Sequence, residues 1–297
     1  MTDVSAILLS RDSLLHFSGP DAPAFLHGQL TCDVLALNSG VSTYGGYCTP
    51  KGRLLATFLL WRNAADYYML LPAAIAEAIR KRLTMYILRA KVKAEDITAT
   101  HACVGIAGAD SAQQIAALGG TVPAPLHAVT ANEDVTVIAL PVQRYLAILP
   151  RERAAAVADT DAWTALDIAA GIPVITPPTQ EEFVAQMVNL DLIGGLSYTK
   201  GCYPGQEIVA RTHYLGRLKQ RMFRARLDGP AAAGEKLYCD ALGDQASGMI
   251  IAAAPDKAGH YDVLAVLQTA HASSSPYHLG SLQGPVLELG SLPYAVA

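Results

Sequence analysis

The chain has 297 residues, too many for one small module and about right for two or three packed units. Its 22 lysines and arginines against 26 aspartates and glutamates give a net charge of −4, which argues against a whole-chain binder of nucleic acid or anionic membrane. Apolar residues make up 52% and charged residues 16%, enough to build a large core and too apolar for global disorder. No apolar run approaches the roughly 18–20 residues that span a bilayer. The opening Met1-Thr2-Asp3 has no basic stretch followed by an apolar one. The expected compartment is therefore the cytoplasm, with no membrane partner.

Val4 to Leu9 and Leu14 to Ser18 read as strands, and Asp21 stands where it would cap a short helix to about Leu30, with Pro23 in the first turn. Val41 to Cys48, Arg53 to Arg62 and Asp66 to Leu71 read as strands, the first two joined by a Pro50-Lys51-Gly52 turn. After Pro72, Ile75, Ile79, Leu83 and Ile87 recur every four residues and predict an amphipathic helix. Strands follow at Cys103 to Ala107, Val135 to Leu140 and Tyr145 to Leu149. Helices are expected near Ser111 to Leu118, Arg151 to Val157 and Trp163 to Ala170. This order suggests α+β architecture rather than a doubly wound parallel sheet, and no GxGxxG or GxxxxGK[ST] loop is present. From Lys219 onward, short alternating segments separated by Gly, Pro, Asp and Ser predict a small antiparallel β-barrel or sandwich. The junction is expected near Tyr214 to Arg217, dividing the chain into 1–214 and 215–297.

Five cysteines, at 32, 48, 103, 202 and 239, are odd in number and form no CxxC pair, so neither a disulfide framework nor a zinc knuckle is expected. Four read as small core hydrophobes. Cys202 lies in Lys200-Gly201-Cys202-Tyr203-Pro204-Gly205-Gln206-Glu207, with a helix expected to open at Gln206. On that reading the sulfur sits one or two residues ahead of a helix N-terminus, with a cation two residues away, both of which favour thiolate. The plainer reading is a buried cysteine beside a solvated lysine. The eight histidines show no HxH or HExxH spacing, so no metal site is expected.

The eight-residue string, together with WxALDIxAGxPVI from Trp163 and NLDxxGGxS from Asn189, closely resembles the YgfZ-type folate-binding proteins. These are relatives of the glycine-cleavage T-protein and of mitochondrial iron–sulfur assembly factors. The likeness is specific over Trp163 to Arg211 and looser over Gly19 to Asp33 and Tyr47 to Arg62. It implies a T-protein-like ring of intertwined α+β subdomains with a C-terminal antiparallel β-barrel, around a channel that holds tetrahydrofolate. It also implies a role in maintaining or repairing iron–sulfur enzymes, tRNA-methylthiolating ones included, which would be transient partners. Carried over by position, Cys202 would be the functional thiol, flanked by Lys200, Gly201, Tyr203, Gly205, Gln206 and Glu207. Trp163 would be an aromatic wall for the pterin, or else a plain core residue at a helix start.

Two departures matter. Where the T-protein has an aspartate, Lys51 to Thr57 offers no carboxylate, so aminomethyl transfer has lost its evident acid or base. Where some relatives carry an aromatic, this chain reads Arg11-Asp12-Ser13-Leu14. A folate-dependent one-carbon transferase or demethylase working through Glu207 or Asp191 is one alternative. Another is a tRNA-binding scaffold using Arg217, Lys219, Arg221, Arg224 and Arg226, a stripe whose blander reading is a solvated strand face.

Overall fold

The computed structural model describes residues 6–155, 160–214 and 218–296. A short β1 (Ile7–Leu8) is followed by β2 (Asp12–Ser18), α1 (Ala22–His27), β3 (Ser42–Cys48), β4 (Leu54–Asn63), β5 (Asp66–Pro72), α2 (Ala73–Met85) and β6 (Lys93–Asp96). Then come β7 (His101–Ala107), α3 (Ser111–Ala117), β8 (Val129–Ala131), β9 (Thr136–Leu140), β10 (Arg144–Pro150) and α4 (Thr160–Ala170). The last third holds α5 (Gln206–Tyr214), β11 (Gln220–Asp228), β12 (Lys236–Cys239), β13 (Ala246–Pro255), β14 (His260–Gln268), β15 (Tyr277–Leu279) and β16 (Glu288–Gly290).

These elements form three antiparallel sheets, ordered β3-β4-β5-β2-β6, β1-β7-β10-β9-β8 and β15-β12-β13-β14-β11-β16. The first two are intertwined, because β1 pairs with β7 (Ile7 opposite Gly105) before the chain crosses to build the first sheet. The four-residue spacing in α2 buries Ile75, Ile79 and Leu83 against that sheet, and the helix ends at Met85, short of Ile87. β6, with the charged sequence KAED, was not expected as a strand. It exists because β2 offers it an open edge, Leu15 facing Asp96, and edge pairing overrides weak intrinsic preference. The helix expected over Arg151 to Val157 is a single 3-10 turn at Arg151–Arg153, beyond which residues 156–159 are not described.

The third sheet corrects the expected barrel. It curls into an antiparallel half-barrel that does not close. Its edge strands β15 and β16 are three residues each, and across the gap β15 meets only the short segment before β16, through the isolated bridge His278 to Val286 and the bonds Leu279 N–H to Pro285 O (2.9 Å) and Leu287 N–H to Tyr277 O (2.8 Å). A closed barrel needs a continuous staggered ladder across that gap. The expected junction near Tyr214 to Arg217 falls largely on residues 215–217, outside the described residues. One large core joins the three sheets: Leu14 and Trp61 come from the first, Cys103 and Ile148 from the second, and Met222 and Ile251 from the third. Helix α4 threads between them, packing on β13 and β14 while Trp163 reaches β7.

That contact needs a glycine. A Cβ at Gly105 in β7 would drive into Cε3 and Cζ3 of the Trp163 ring, a stiff group with core on every side. Gly105→Ala should therefore lower stability by about 1–3 kcal/mol through overpacking, read as a urea midpoint shift with altered Trp163 emission. An unchanged midpoint would show that α4 can lift off the sheet at no cost.

Candidate functional site

Where the three sheets meet around α4, two adjoining cavities share the walls Asp12, Pro72, Trp163, Asp167 and Val174. The inner one, about 70 Å³, is otherwise lined by apolar groups such as Leu70, Leu146, Ile172 and Leu190. The outer one, about 330 Å³, continues between α4 and the third sheet, past Ala231 to Ala233 and Ile251 to Ala253. It reaches the lower end of the range of small-molecule sites. The segment after α4 is tied to β4 by Thr57, whose Oγ1 donates to the carbonyl of Pro173 at 2.8 Å and accepts from Ile175 N–H at 3.0 Å. Trp163 is 7% exposed and core-packed, and it lines both cavities.

Around this tryptophan lies a group of buried charges that reading the sequence did not single out. Arg144, at the start of β10, is fully buried and donates through Nη2 to Asp167 Oδ1 at 2.6 Å. Its guanidinium carbon lies 4.6 Å from the Trp163 ring centroid, a stacked cation. Its Nη1 is buried with no hydrogen-bond partner. Asp12, at the start of β2, lines both cavities, and no described residue donates a hydrogen bond to its carboxylate. Burial, helped by the charge of Asp167, pushes the Asp12 carboxyl up to about 7. Burial also raises Asp167, against the pull of Arg144. Asp12 and Asp167 thus put two carboxyl groups in the cavity walls, where Lys51 to Thr57 contributes none. The one signal in the sequence was an aspartate inside the apolar run Ala165 to Ala170; Asp12 and Arg144 carry none, because only the fold brings them beside it.

The KGCYPGQE segment is a second, separate place. Four cysteines are buried, as expected, and Cys202 is exposed. Lys200 is buried, its ammonium donating to the carbonyls of His27, Leu30 (2.5 Å) and Cys32 (3.1 Å), and it lies 4.9 Å from the Tyr203 ring centroid. A cation over the last carbonyls of α1 complements the helix end. Burial lowers this ammonium to about 8, while the three acceptors favour its protonated form. Gly205 has φ +83°, and a Cβ there would meet Gly52 Cα and Thr49 O at 2.6 Å, so the segment interlocks with the Pro50-Lys51-Gly52 turn. Gln206 N–H bonds to Tyr203 O at 3.1 Å, Tyr203 is buried, and Gly201 and Glu207 are exposed. The expected surroundings of the sulfur differ on two counts: the Lys200 ammonium is committed to carbonyls, and Cys202 precedes α5 by four residues. None of Lys200, Gly201, Cys202, Tyr203, Gly205, Gln206 and Glu207 lines either cavity that Trp163 lines.

Glu207 and Asp191 also lie off both cavity walls. Asp191 is held by Arg221 in a two-pronged pair at 2.7 and 3.0 Å. The same holds along the basic stripe. Arg221, Arg224 and Arg226 meet Asp191, Asp262 and Asp256 respectively, so β11 presents little net charge, and Arg217 lies outside the described residues. Among the described residues no helix is long and apolar enough to cross a membrane.

Residues 2–145 match the family model described as the GCVT N-terminal domain. The chain is 34% identical to the tRNA-modifying protein YgfZ of Edwardsiella ictaluri, over 95% of this chain and 89% of that protein. To the protein of the same name from Sodalis glossinidius it is 30% identical, over 99% of this chain and 94% of that one. The fold is similar to the crystal structure of glycine cleavage system aminomethyltransferase T from Bartonella henselae. The TM-score is 0.75 at 14% identity, covering 97% of this chain and 85% of that one.

Between its ordinary value of 3.8 and about 7, Asp12 keeps in the folded chain a proton that the unfolded chain has released. Its contribution to stability is therefore whole below pH 3.8 and lost as pH rises through 7. Asp12→Asn should raise Tm over the parent above pH 7, and the gain should vanish near pH 4; a gain independent of pH would refute the assignment. Lys200→Met leaves the carbonyls of Leu30 and Cys32 without that donor and should cost about 1–3 kcal/mol. Equal stability in urea unfolding would mean the lysine anchors nothing.

Proposed function

The chain belongs to the YgfZ family of GcvT-like proteins, and on that premise we propose that it is a tetrahydrofolate-binding accessory protein for iron–sulfur enzymes. Its clients would be assembled, maintained or repaired through the thiol of Cys202, tRNA-modifying enzymes among them. The observation that carries the reading is the cavity pair walled by Trp163 at the meeting point of the three sheets.

The residues there fit a reduced pterin. A flat heterocycle needs an aromatic or apolar slot with a few placed polar partners. Trp163 and Leu70 to Pro72 supply the slot, and Asp12 and Asp167 supply carboxyl groups in its wall. Trp163, Asp12 and Asp167 would hold the ring, with Arg144 fixing Asp167 from behind, and the outer cavity leaves room for its substituent. When bound, a reduced folate supplies a one-carbon carrier with an easily oxidised ring. Lys200, Gly201, Tyr203, Gly205, Gln206 and Glu207 serve the other place: they hold and frame a loop that displays the sulfur. Exposure of Cys202, against the burial of the other four cysteines, supports its being the thiol that works.

Two measurements test this. Titration with tetrahydrofolate should give saturable quenching of tryptophan emission that is lost in Trp163→Phe, since Trp61 lines neither cavity and stacks on Tyr68 at 5.6 Å. No saturable quenching in the parent would refute the site. Cys202→Ala should keep the fold and bind folate within about twofold of the parent while failing to restore cluster-dependent tRNA methylthiolation in a deficient strain. Full rescue by the alanine variant would remove the thiol from the account.

A further inference from the structure

We infer that the turn after α2, with Met85, Tyr86 and Leu88 exposed at its tip and cations around them, is the docking surface for a client iron–sulfur enzyme, seating Leu88 in an apolar pocket with an acidic rim. The inference rests on the function proposed above and names the surface and the chemistry of the partner, which that reading leaves open.

Most large apolar side chains exposed on this chain stand singly, which is ordinary. Residues 85–88 differ: Met85 is 67% exposed, Tyr86 46% and Leu88 86%, all within one turn. That turn is built. Tyr86 N–H bonds to Leu83 O at 2.9 Å, Ile87 N–H to Thr84 O at 3.2 Å and Ala90 N–H to Ile87 O at 2.7 Å. Leu88 holds φ +44°, a left-handed backbone that leucine rarely adopts. The hydrogen-bonded turn thus keeps a strained residue with its apolar side chain in water, and contiguous exposure of this kind marks an interaction surface.

Charge decides which partner fits. Between Glu77 and Lys93 the chain carries six cations and one acid, although its net charge is −4. Arg80 and Lys81 pair with Glu77, and Lys93 pairs with Glu95. The side chains of Arg82, Arg89 and Lys91 form no ion pair among the described residues, and Arg89 and Lys91 are exposed. The patch is apolar at its centre and positive at its rim, which complements an apolar pocket edged by carboxylates. A polyanion such as RNA engages the rim and leaves Met85 and Leu88 in water, so an acidic protein surface matches better.

The position favours the same partner. Lys91 N–H donates to Asp21 Oδ2 at 2.7 Å, which ties the turn to the residue preceding α1. The other end of α1 holds the loop of Cys202, through the Lys200 ammonium on the carbonyl of His27. α1 has six residues and is about 9 Å long, so a protein resting on the turn has the thiol within reach.

The test is biolayer interferometry of the full chain against a purified tRNA-methylthiolating iron–sulfur enzyme. The parent should bind, and at least about threefold more weakly in about 300 mM salt than in about 50 mM. Leu88→Asn removes the apolar group yet suits the left-handed backbone, so the variant should melt like the parent. It should lose at least about tenfold in affinity, as should Arg89→Glu combined with Lys91→Glu. Leu126→Ser, which truncates a leucine 53% exposed ahead of β8, should bind like the parent. Leu88→Asn and the charge-reversed variant binding the enzyme as the parent does would overturn this inference and leave the proposed function standing. No binding by the parent would overturn the inference together with the client enzyme that the proposed function names. Unchanged enzyme binding, with Leu88→Asn instead losing affinity for tRNA alone, for phosphatidylglycerol vesicles or for a second copy in sedimentation, would overturn the partner named here and reassign the surface.

Discussion

The buried contact between Arg144 and Asp167 is the interaction on which the rest of the centre depends. It joins the start of β10 to α4, and thereby the second sheet to the helix that packs on the third. Paired charges removed from water seldom add net stability, because desolvation offsets their attraction. What they add here is direction. The guanidinium is fixed over the Trp163 ring, one of its nitrogens is left facing no acceptor, and a negative charge is placed beside Asp12. The neighbouring glycine at 105 sets how closely α4 approaches the sheet, and so how the indole stands in the cavity wall.

A second anchored cation organises the loop that carries Cys202. Lys200 spends its charge on the carbonyls that end α1 and lead into the next loop, an interaction internal to the fold. Its role is mechanical. The motif's lysine and glycine lock a loop so that Cys202 stands in solvent, while the remaining cysteines serve as core. The cavity pair and the exposed thiol are thus built by different residues of one framework. In the proposed function they divide the work between binding and contact with a client protein.

The alternating apolar pattern, the four-residue spacing of Ile75, Ile79 and Leu83, and the burial of four cysteines were all legible along the chain, because periodic burial writes itself into sequence. So was the likeness to a family over a long stretch, which singled out Trp163 and Cys202 as candidates. Less was legible where pairing decides the outcome. β6 is a charged segment made into a strand by its neighbour, and the third sheet stays an open half-barrel because its two short edge strands lack a shared ladder.

By itself, then, the sequence determined the α+β class, the family and the two residues around which function is proposed, since these rest on local periodicity and on contiguous motifs. Only the tertiary structure decided that Trp163 and Cys202 occupy different places, that Lys200 is an anchor, and that Asp12, Arg144 and Asp167 form one buried group. The reason is electrostatic. A charged residue is unremarkable in a sequence until folding removes its water, and what then matters is which distant groups remain to replace it.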